Sequence, residues 1–428
     1  MIRSMFTAIS ALSLHQKYLD VVSNNLANAN TTGYKSSRVL FQDQFAQMMS
    51  PGSAPSVNQG GTNPTQVGLG VGLGYISPNF SQGTLQNTGR NMDLGIQGDG
   101  FFIYGTGAGR RFSREGSMTL DAEGMLVNSA SGLRTQGWLV DSNGAIDPKL
   151  PVGDIQIATD KTLARATTSV NLGGNLSATT PVAAGVSSQV DVAIGVYDSL
   201  GALQTSTLRF TRATNLQWTW GVVNPAIPTA TLAGMGGTIT FNPSGQLDTT
   251  IVGNPTFVGG EVPAGPSNVT LPSSPGASTA ALQYLDMTKM TMLTATSSVA
   301  ASSQNGLPAG SVSDVYISPR DGAISLVYSN GLTEQIGQLA LARFVNPTGL
   351  MRGENTTFLA GLNSGDPEIG TASTGGRGTV ASGYLEASNV DMAQEFTNMI
   401  LAQRGFQASA KVITTSDEIL QELVNLKR

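Results

Sequence analysis

The chain has 428 residues, enough for about three domains of ordinary size, each able to bury a core. With 12% charged and 40% hydrophobic residues it is no disordered polyelectrolyte, and 23 basic against 28 acidic residues, net −5, give no basic surface for nucleic acid. Having no cysteine and one histidine, His15, it lacks the ligands of a structural zinc site, a catalytic thiol, disulfides, and any Ser-His-Asp triad not built on His15.

The first predicted element is a helix. Met5, Leu12, Leu19 and Leu26 recur every seven residues, and Ala8, His15 and Val22 follow three residues after the first three of them, with Ile9 widening the stripe. Asn28, Asn30, Thr31, Thr32 and Gly33 stop the helix, and Gly33 suits a left-handed turn beyond it. Asn24, Asn25 and Asn28 carry donors and acceptors alike, which fits polar bridging at a helix end. Ser, Thr, His and Gln interrupt the would-be apolar stretch that begins at Phe6, and the heptads continue past any cleavage point, so no cleaved leader is expected. No apolar run reaches the roughly 18 residues of a spanning helix, so no membrane insertion is expected.

Residues 50–75 read as loop, with Gly68, Gly70, Gly72 and Gly74 at alternate positions. Their spacing is not G-x-G-x-x-G, no helix follows, and no Gly-Lys pair exists, so they do not predict a phosphate loop. From 70 to 380 the punctuation is that of sheets. Phe101–Tyr104 reads as a strand, and Met118–Leu120, Asp121–Gly124 and Met125–Val127 as strand, turn and strand. Arg110, Arg111 and Arg114 form a small basic cluster, read as a solvated or interface patch. Asp141-Ser142-Asn143-Gly144 lacks the distal glutamate of a calcium loop and reads as a tight turn. Thr205–Thr211 and Gln217–Trp220 alternate as strands. Residues 256–280 are rich in Pro, Gly and Ser and read as loop. Val312–Ile317, the turn Pro319–Gly322, Ile324–Tyr328 and the turn Asn330-Gly331 form a meander. The sequons at Asn30, Asn175, Asn268 and Asn355 are those chance supplies in a Thr-rich chain. No carboxylate pair stands out for glycoside hydrolysis.

The last element is again a helix. Met392, Met399, Phe406, Ile413 and Leu420 repeat at seven, with Phe396, Ala410 and Val424 in companion positions. Asp391 is an N-cap, Glu395 lies in the first turns, and Lys427 and Arg428 close the chain, an order that suits the helix dipole. Gln403 and Asp417 on the seam imply that part of the stripe meets polar groups or water. Two helices about 33 to 55 Å long at opposite ends of a β-rich chain predict a terminal pair. One pair leaves apolar faces uncovered, so neighbouring copies must cover them.

The fold class expected is multidomain and mainly β, its β-rich middle domains nested between N- and C-terminal α-helices that pair as a coiled coil. The domains expected are 1–30 with 390–428 (helical, inner tube), 31–70 with 365–389 (connector, Gly60–Gly74 joining stiff and sliding parts), 71–145 with 285–364 (β-rich) and 146–284 (inserted outer β domain).

Ser23-Asn24-Asn25-Leu26-Ala27-Asn28 followed by Thr32-Gly33-Tyr34-Lys35 resembles the N-terminal signature of the bacterial flagellar rod and hook axial proteins. Leu94–Phe102 is similar to a second signature of that family, and Gly383–Asp391 with Gln403–Ala408 to its C-terminal one. Val196–Gly201, Tyr328–Gly331 and Phe344–Leu350 resemble hook members, as does the length. Met1-Ile2-Arg3-Ser4 is closer to rod members, which keeps a distal rod or other hook-like protein as the alternative. The resemblance implies a structural, non-enzymatic subunit without cofactor or metal. It implies a homopolymer, a curved flexible tube that passes torque from motor to filament as a universal joint. It implies rod, hook-cap and hook–filament junction proteins and the export apparatus as partners, and an extracellular place in the flagellum. A chain without cysteine cannot form the cysteine-derived intersubunit crosslink of some hooks. The rival classes are a secreted β-rich adhesin with a ligand pocket, and a hydrolase.

Overall fold

The computed structural model describes residues 2–425 except 57–58, 142–143, 183–185, 225–226, 249–268, 271–273, 278–280 and 283. The loop reading of 256–280 thus falls mostly outside the described residues, and Asn268, Lys427, Arg428 and the middle of the Asp141–Gly144 turn lie outside them too. Two compact units emerge: Met1–Ala158 with Val315–Ser325 and Gln335–Arg428, and Thr159–Asp314 with Leu326–Glu334.

In the first unit, helix α1 spans Ile2–Ala27 and helix α2 spans Met392–Asn425, and they pack against each other. Pairing is antiparallel: Ala8 and Ala11 lie beside Ala408 and Ser409, His15 meets Gly405, and Asn25 meets Glu395. Asp391 caps α2 as expected, its Oδ1 accepting from the Gln394 N–H at 3.1 Å. Gly33 has φ +68°, the left-handed conformation expected of it.

Between the helices, strands β1 (Ser37–Asp43), β2 (Ala46–Ser50), β3 (Thr65–Gly68) and β4 (Val71–Pro78) build one long hairpin arm. β1 pairs with β4 and β2 with β3, and single bridges continue the arm at Ser53–Thr62 and Ser56–Gln59. This corrects the reading of 50–75 as loop. Alternate glycines obey the strand period, so Gly72 and Gly74 share a face. There Gln44 and the Leu40 carbonyl come within 3.5 and 3.0 Å of where a Cβ would stand. Glycine marks a close backbone approach here, not a break. The arm is exposed throughout its outer half, with Phe45, Met48, Met49, Val67 and Leu69 facing solvent.

β5 (Leu85–Asn87), β6 (Leu94–Gln97), β7 (Phe101–Tyr104) and β8 (Arg111–Ser113) follow. All four residues of β7 are buried, the mark of a strand covered on both faces. β7 pairs with β8 and with strand Thr333–Arg343, and β8 with strand Thr357–Leu359. Phe80, Phe101, Phe112, Phe344 and Phe358 meet edge to face at centroid distances of 4.8–6.0 Å in this core. The expected hairpin forms from Met118–Leu120 and Leu126–Asn128, and Asp121 Oδ1 closes its turn on the N–H groups of Glu123 and Met125. Strands Thr379–Ser382 and Tyr384–Glu386 pair with β6 and β5, bringing the approach to α2 beside the exit from α1.

The second unit is a two-sheet β structure. Four antiparallel strands run in order from Gln189–Tyr197 to Ile227–Thr240, and a second sheet joins Tyr284–Thr291, Ser169–Asn175 and Ala300–Gln304. Both sheets feed one core around Trp218, Phe210, Phe241, Leu208 and Met290. The sequon at Asn175 is unavailable: the side chain is buried and donates to the Leu293, Ala295 and Thr296 carbonyls. The architecture is mainly β between terminal helices, the expected class.

Candidate assembly site

The faces of the helix pair follow from its geometry. A straight helix turns about 100° per residue, so a heptad line drifts by about 20° each repeat. On α1 the line facing α2 is the companion one, with Ala8 and Val22 buried and His15 half-buried; Met5, Leu12, Leu19 and Leu26 flank it, half-buried. On α2 the drift is visible within one series. Met392 is exposed, while Met399, Phe406, Ile413 and Leu420 are half-buried, and Phe396 stays in solvent. The line of α2 against α1 consists instead of small residues: Ala402 and Ser416 are buried, and Gly405 lies under His15. A Cβ at Gly405 would stand 2.5 Å from His15 Cε1. These small residues escape a hydrophobic-periodicity search. The available signal was Gly405 itself, since a mid-helix glycine costs about 1 kcal/mol and usually has a packing reason. Gln403 and Asp417 are exposed to solvent.

Large apolar side chains also remain outside. Met392, Phe396 and Ile400, four residues apart, form one exposed ridge of α2, and Leu401, Val412 and Ile419 lie on the opposite flank of the seam. Phe6 and Ile9 are exposed on α1. Scattered single apolar residues need no explanation, but the contiguous ridge Met392-Phe396-Ile400, with further apolar residues across the seam, marks a candidate interaction face.

The family-motif residues do different work. Asn25, buried at the end of α1, mimics a strand partner: its Nδ2 donates to the Ser37 carbonyl at 2.8 Å and its Oδ1 accepts the Ser37 N–H at 2.9 Å. Nδ2 also reaches Glu395 Oε1, and Oδ1 accepts from the Tyr34 hydroxyl, each at 3.3 Å. Asn28 Nδ2 bonds the Asn24 carbonyl and Oδ1, finishing the last turn of α1. Asn24 and Ala27 stay exposed, and Leu26 is half-buried. Gly33 is buried where a Cβ would lie 2.6 Å from the Glu115 backbone nitrogen.

Lys35 is fully buried. Its Nζ meets Glu386 Oε1 at 2.6 Å and donates to the Ser81 carbonyl at 2.7 Å. Glu386, also fully buried, accepts the Gly83 N–H on the same oxygen and faces Arg114 Nη1 at 3.4 Å with the other. Arg114 therefore leaves the solvated patch assigned to it: it is buried, over the Phe101 ring, and half-neutralises an internal carboxylate. Only Arg110 and Arg111 of that cluster are partly exposed. Burial lowers the Lys35 ammonium below the usual lysine range against the pull of Glu386, and lowers Arg114 likewise. Arg352 donates to the Lys35 carbonyl and stacks on Tyr34, 4.8 Å from the ring centroid. Asn389 Oδ1 accepts the Ser36 N–H while its Nδ2 donates to Asn79 and Ser81. The motif is thus a buried knot at the foot of the helix pair, tying both chain ends to one scaffold. Glu386 and Asn389 stood in the C-terminal signature and Arg114 in the basic cluster, but the knot they form was not legible, because their partners lie tens to hundreds of residues away.

An apolar helix pair held on a rigid, charge-knotted base is the design of a self-assembling structural subunit. Three family descriptions match along the chain: Flagella basal body rod protein over residues 5–35, Flagellar basal body protein FlaE D2 domain over 171–307, and Flagellar basal body rod FlgEFG protein C-terminal over 381–426. The chain is 36% identical to the flagellar hook protein FlgE of Borreliella burgdorferi and 37% identical to that of Treponema pallidum, over the whole of both partners in each case. It is 29% identical, over the whole of both chains, to the flagellar basal-body rod protein FlgG of Bacillus subtilis. The chain belongs to the flagellar hook protein family.

Proposed function

We propose that this chain polymerises into the flagellar hook, with the terminal helices of neighbouring copies covering one another's exposed flanks to form the inner wall of a tube. The observation that carries the reading is the uncovered apolar ridge Met392-Phe396-Ile400 on α2, with Leu401, Val412 and Ile419 exposed across the seam. Burying a Leu or Phe contributes about 1.5–3 kcal/mol, so several per copy along a lattice outweigh the ordering cost of the helices. The half-buried heptad lines, Met5, Leu12, Leu19 and Leu26 with Met399, Phe406, Ile413 and Leu420, form the shoulders of the same contact. The middle of the chain, poor in charge and rich in small polar side chains, faces outward and supplies weak, exchangeable contacts that slide when the tube bends. In this reading the polymer joins rod to filament, and rod, cap and junction proteins are its neighbours.

Immunogold microscopy of the source cells with antibody to residues 150–280 tests it. Label is expected on a short curved segment between cell body and filament. Label confined to the envelope of opened cells would make it a rod subunit, the role named for the rod relative that matches at lower identity. Label spread over the cell surface would make it an adhesin.

A further inference from the structure

The first unit carries an apolar knob. Val345 is 77% exposed and Leu362 is as exposed as in an open chain, at 110%. They sit on neighbouring loops that are held rigidly. Asn346 bonds the Ser364 and Asn363 carbonyls through its backbone N–H and its Nδ2. Ser364, fully buried, bonds Gly361 through its hydroxyl. The loops touch backbone to backbone at Gly349 and Gly361, where a Cβ would lie 2.2 Å from a carbonyl oxygen. Met351, also exposed, stands beside Gly361. Neither tip residue folds back onto its own chain, so the exposed pair is pre-organised and loses little freedom on docking.

The same unit carries an apolar hole of about 430 Å³ between the start of α1 and the outer arm, lined by Phe6, Val67 and Leu69 with Ser4, Thr7 and Arg3 at its rim. Three other clefts of similar size serve less well. One, beside Ala8, Ala11, Ala408 and Val412, lies in the seam of the helix pair itself and is lined by small side chains. The remaining two expose charged or amide groups, one Glu395 and Arg38, the other Arg352 and the amides of Asn24 and Asn28. The apolar hole is also continuous with the exposed face of α1, since Phe6 belongs to both.

We infer that the Val345/Leu362 knob of one copy seats in the Phe6/Val67/Leu69 hole of a second copy. Knob and hole are different surfaces, so the contact is heterologous and propagates, which is what an open helical tube requires and a closed dimer does not. The inference rests on the polymer reading above and adds a second contact, independent of the helix flanks, that fixes which copies touch.

The absence of cysteine makes the test clean. Leu362→Cys and Leu69→Cys are placed in one chain and expressed in the source cells in place of the native copy. The recovered polymer is treated with a short bismaleimide and run on a denaturing gel. A ladder of covalent multimers is expected, and monomers alone from either single variant. Polymer that forms normally but gives only monomer would overturn the knob-and-hole contact and leave the polymer reading standing. Absence of any polymer from the unaltered chain would sink the polymer reading itself. Should the double variant fail to assemble, Leu362→Asp decides. Its critical concentration should rise about 30-fold, the equivalent of one buried leucine, and an unchanged value would refute the contact.

Discussion

Replacing Glu386 by Gln isolates the buried knot. The change keeps shape and one acceptor oxygen for Lys35 and Gly83 but removes the carboxylate that both buried cations face. Lys35, at 2.6 Å, then loses its paired charge, and Arg114, at 3.4 Å, keeps only the pull of Asp99. Breaking a buried pair by removing one partner costs about 3–5 kcal/mol. For a unit of this size each kcal/mol shifts the melting temperature by about 2–4 °C, so a fall of about 10 °C is expected. Scanning calorimetry of the full chain reads it. A companion with Lys35→Met, Arg114→Met and Glu386→Leu should recover most of the loss, because an apolar replacement of the whole cluster carries no desolvation cost. If Glu386→Gln melts within 2 °C of the native chain, the knot does not hold the foot of the helices.

Four further outcomes are expected. Phe396→Asp should abolish polymer while leaving far-ultraviolet circular dichroism and melting unchanged, whereas Leu19→Asp and Phe406→Asp, being half-buried, should also loosen the helix pair; normal polymers from Phe396→Asp would remove the ridge from the interface. Asn25→Ala strips partners from the Ser37 N–H and carbonyl and should cost about 2–4 kcal/mol by denaturant titration. Burial raises the Glu395 carboxyl above the usual glutamate range, so its contribution is complete below about pH 4.5 and lost as pH rises through the higher folded value. Glu395→Gln should flatten that decline, and an unchanged pH–stability curve would contradict it. Lys35 is shifted down, so the unfolded chain binds more protons in the alkaline range. Stability should therefore gain with pH between the lowered value and about 10.4, a gain that Lys35→Met removes.

The helices were legible because large apolar side chains repeat along them, and the turns at Asp121–Gly124 and Asn330-Gly331 because their chemistry is local. Which face meets which was not legible. The partner line of α2 is written in Ala402, Gly405 and Ser416, which carry no hydrophobic signal, and the drift of the heptads turned Met392 outward while Ile413 turned in. Gly68, Gly72 and Gly74 look like loop in composition but stand in strands, and Gly70 alone makes the turn between them. Arg114 resembled its neighbours Arg110 and Arg111, and only its contact with a glutamate 272 residues away separates it from them. The motif residues from Asn24 to Lys35 were visible as a signature, but their work in joining the chain ends depends on partners no single-sequence window contains.

The link between Lys35 and Glu386 spans 351 positions. Whichever end of the chain is delivered first, half of the clasp must wait for the other half. Until the full length has arrived, the first helix has neither its antiparallel mate nor the carboxylate that holds its foot. A truncated chain cannot complete the site at all. The fold therefore makes one site out of both chain ends: a chain that stops before Glu386 has neither the mate nor the carboxylate that hold the first helix in the whole subunit.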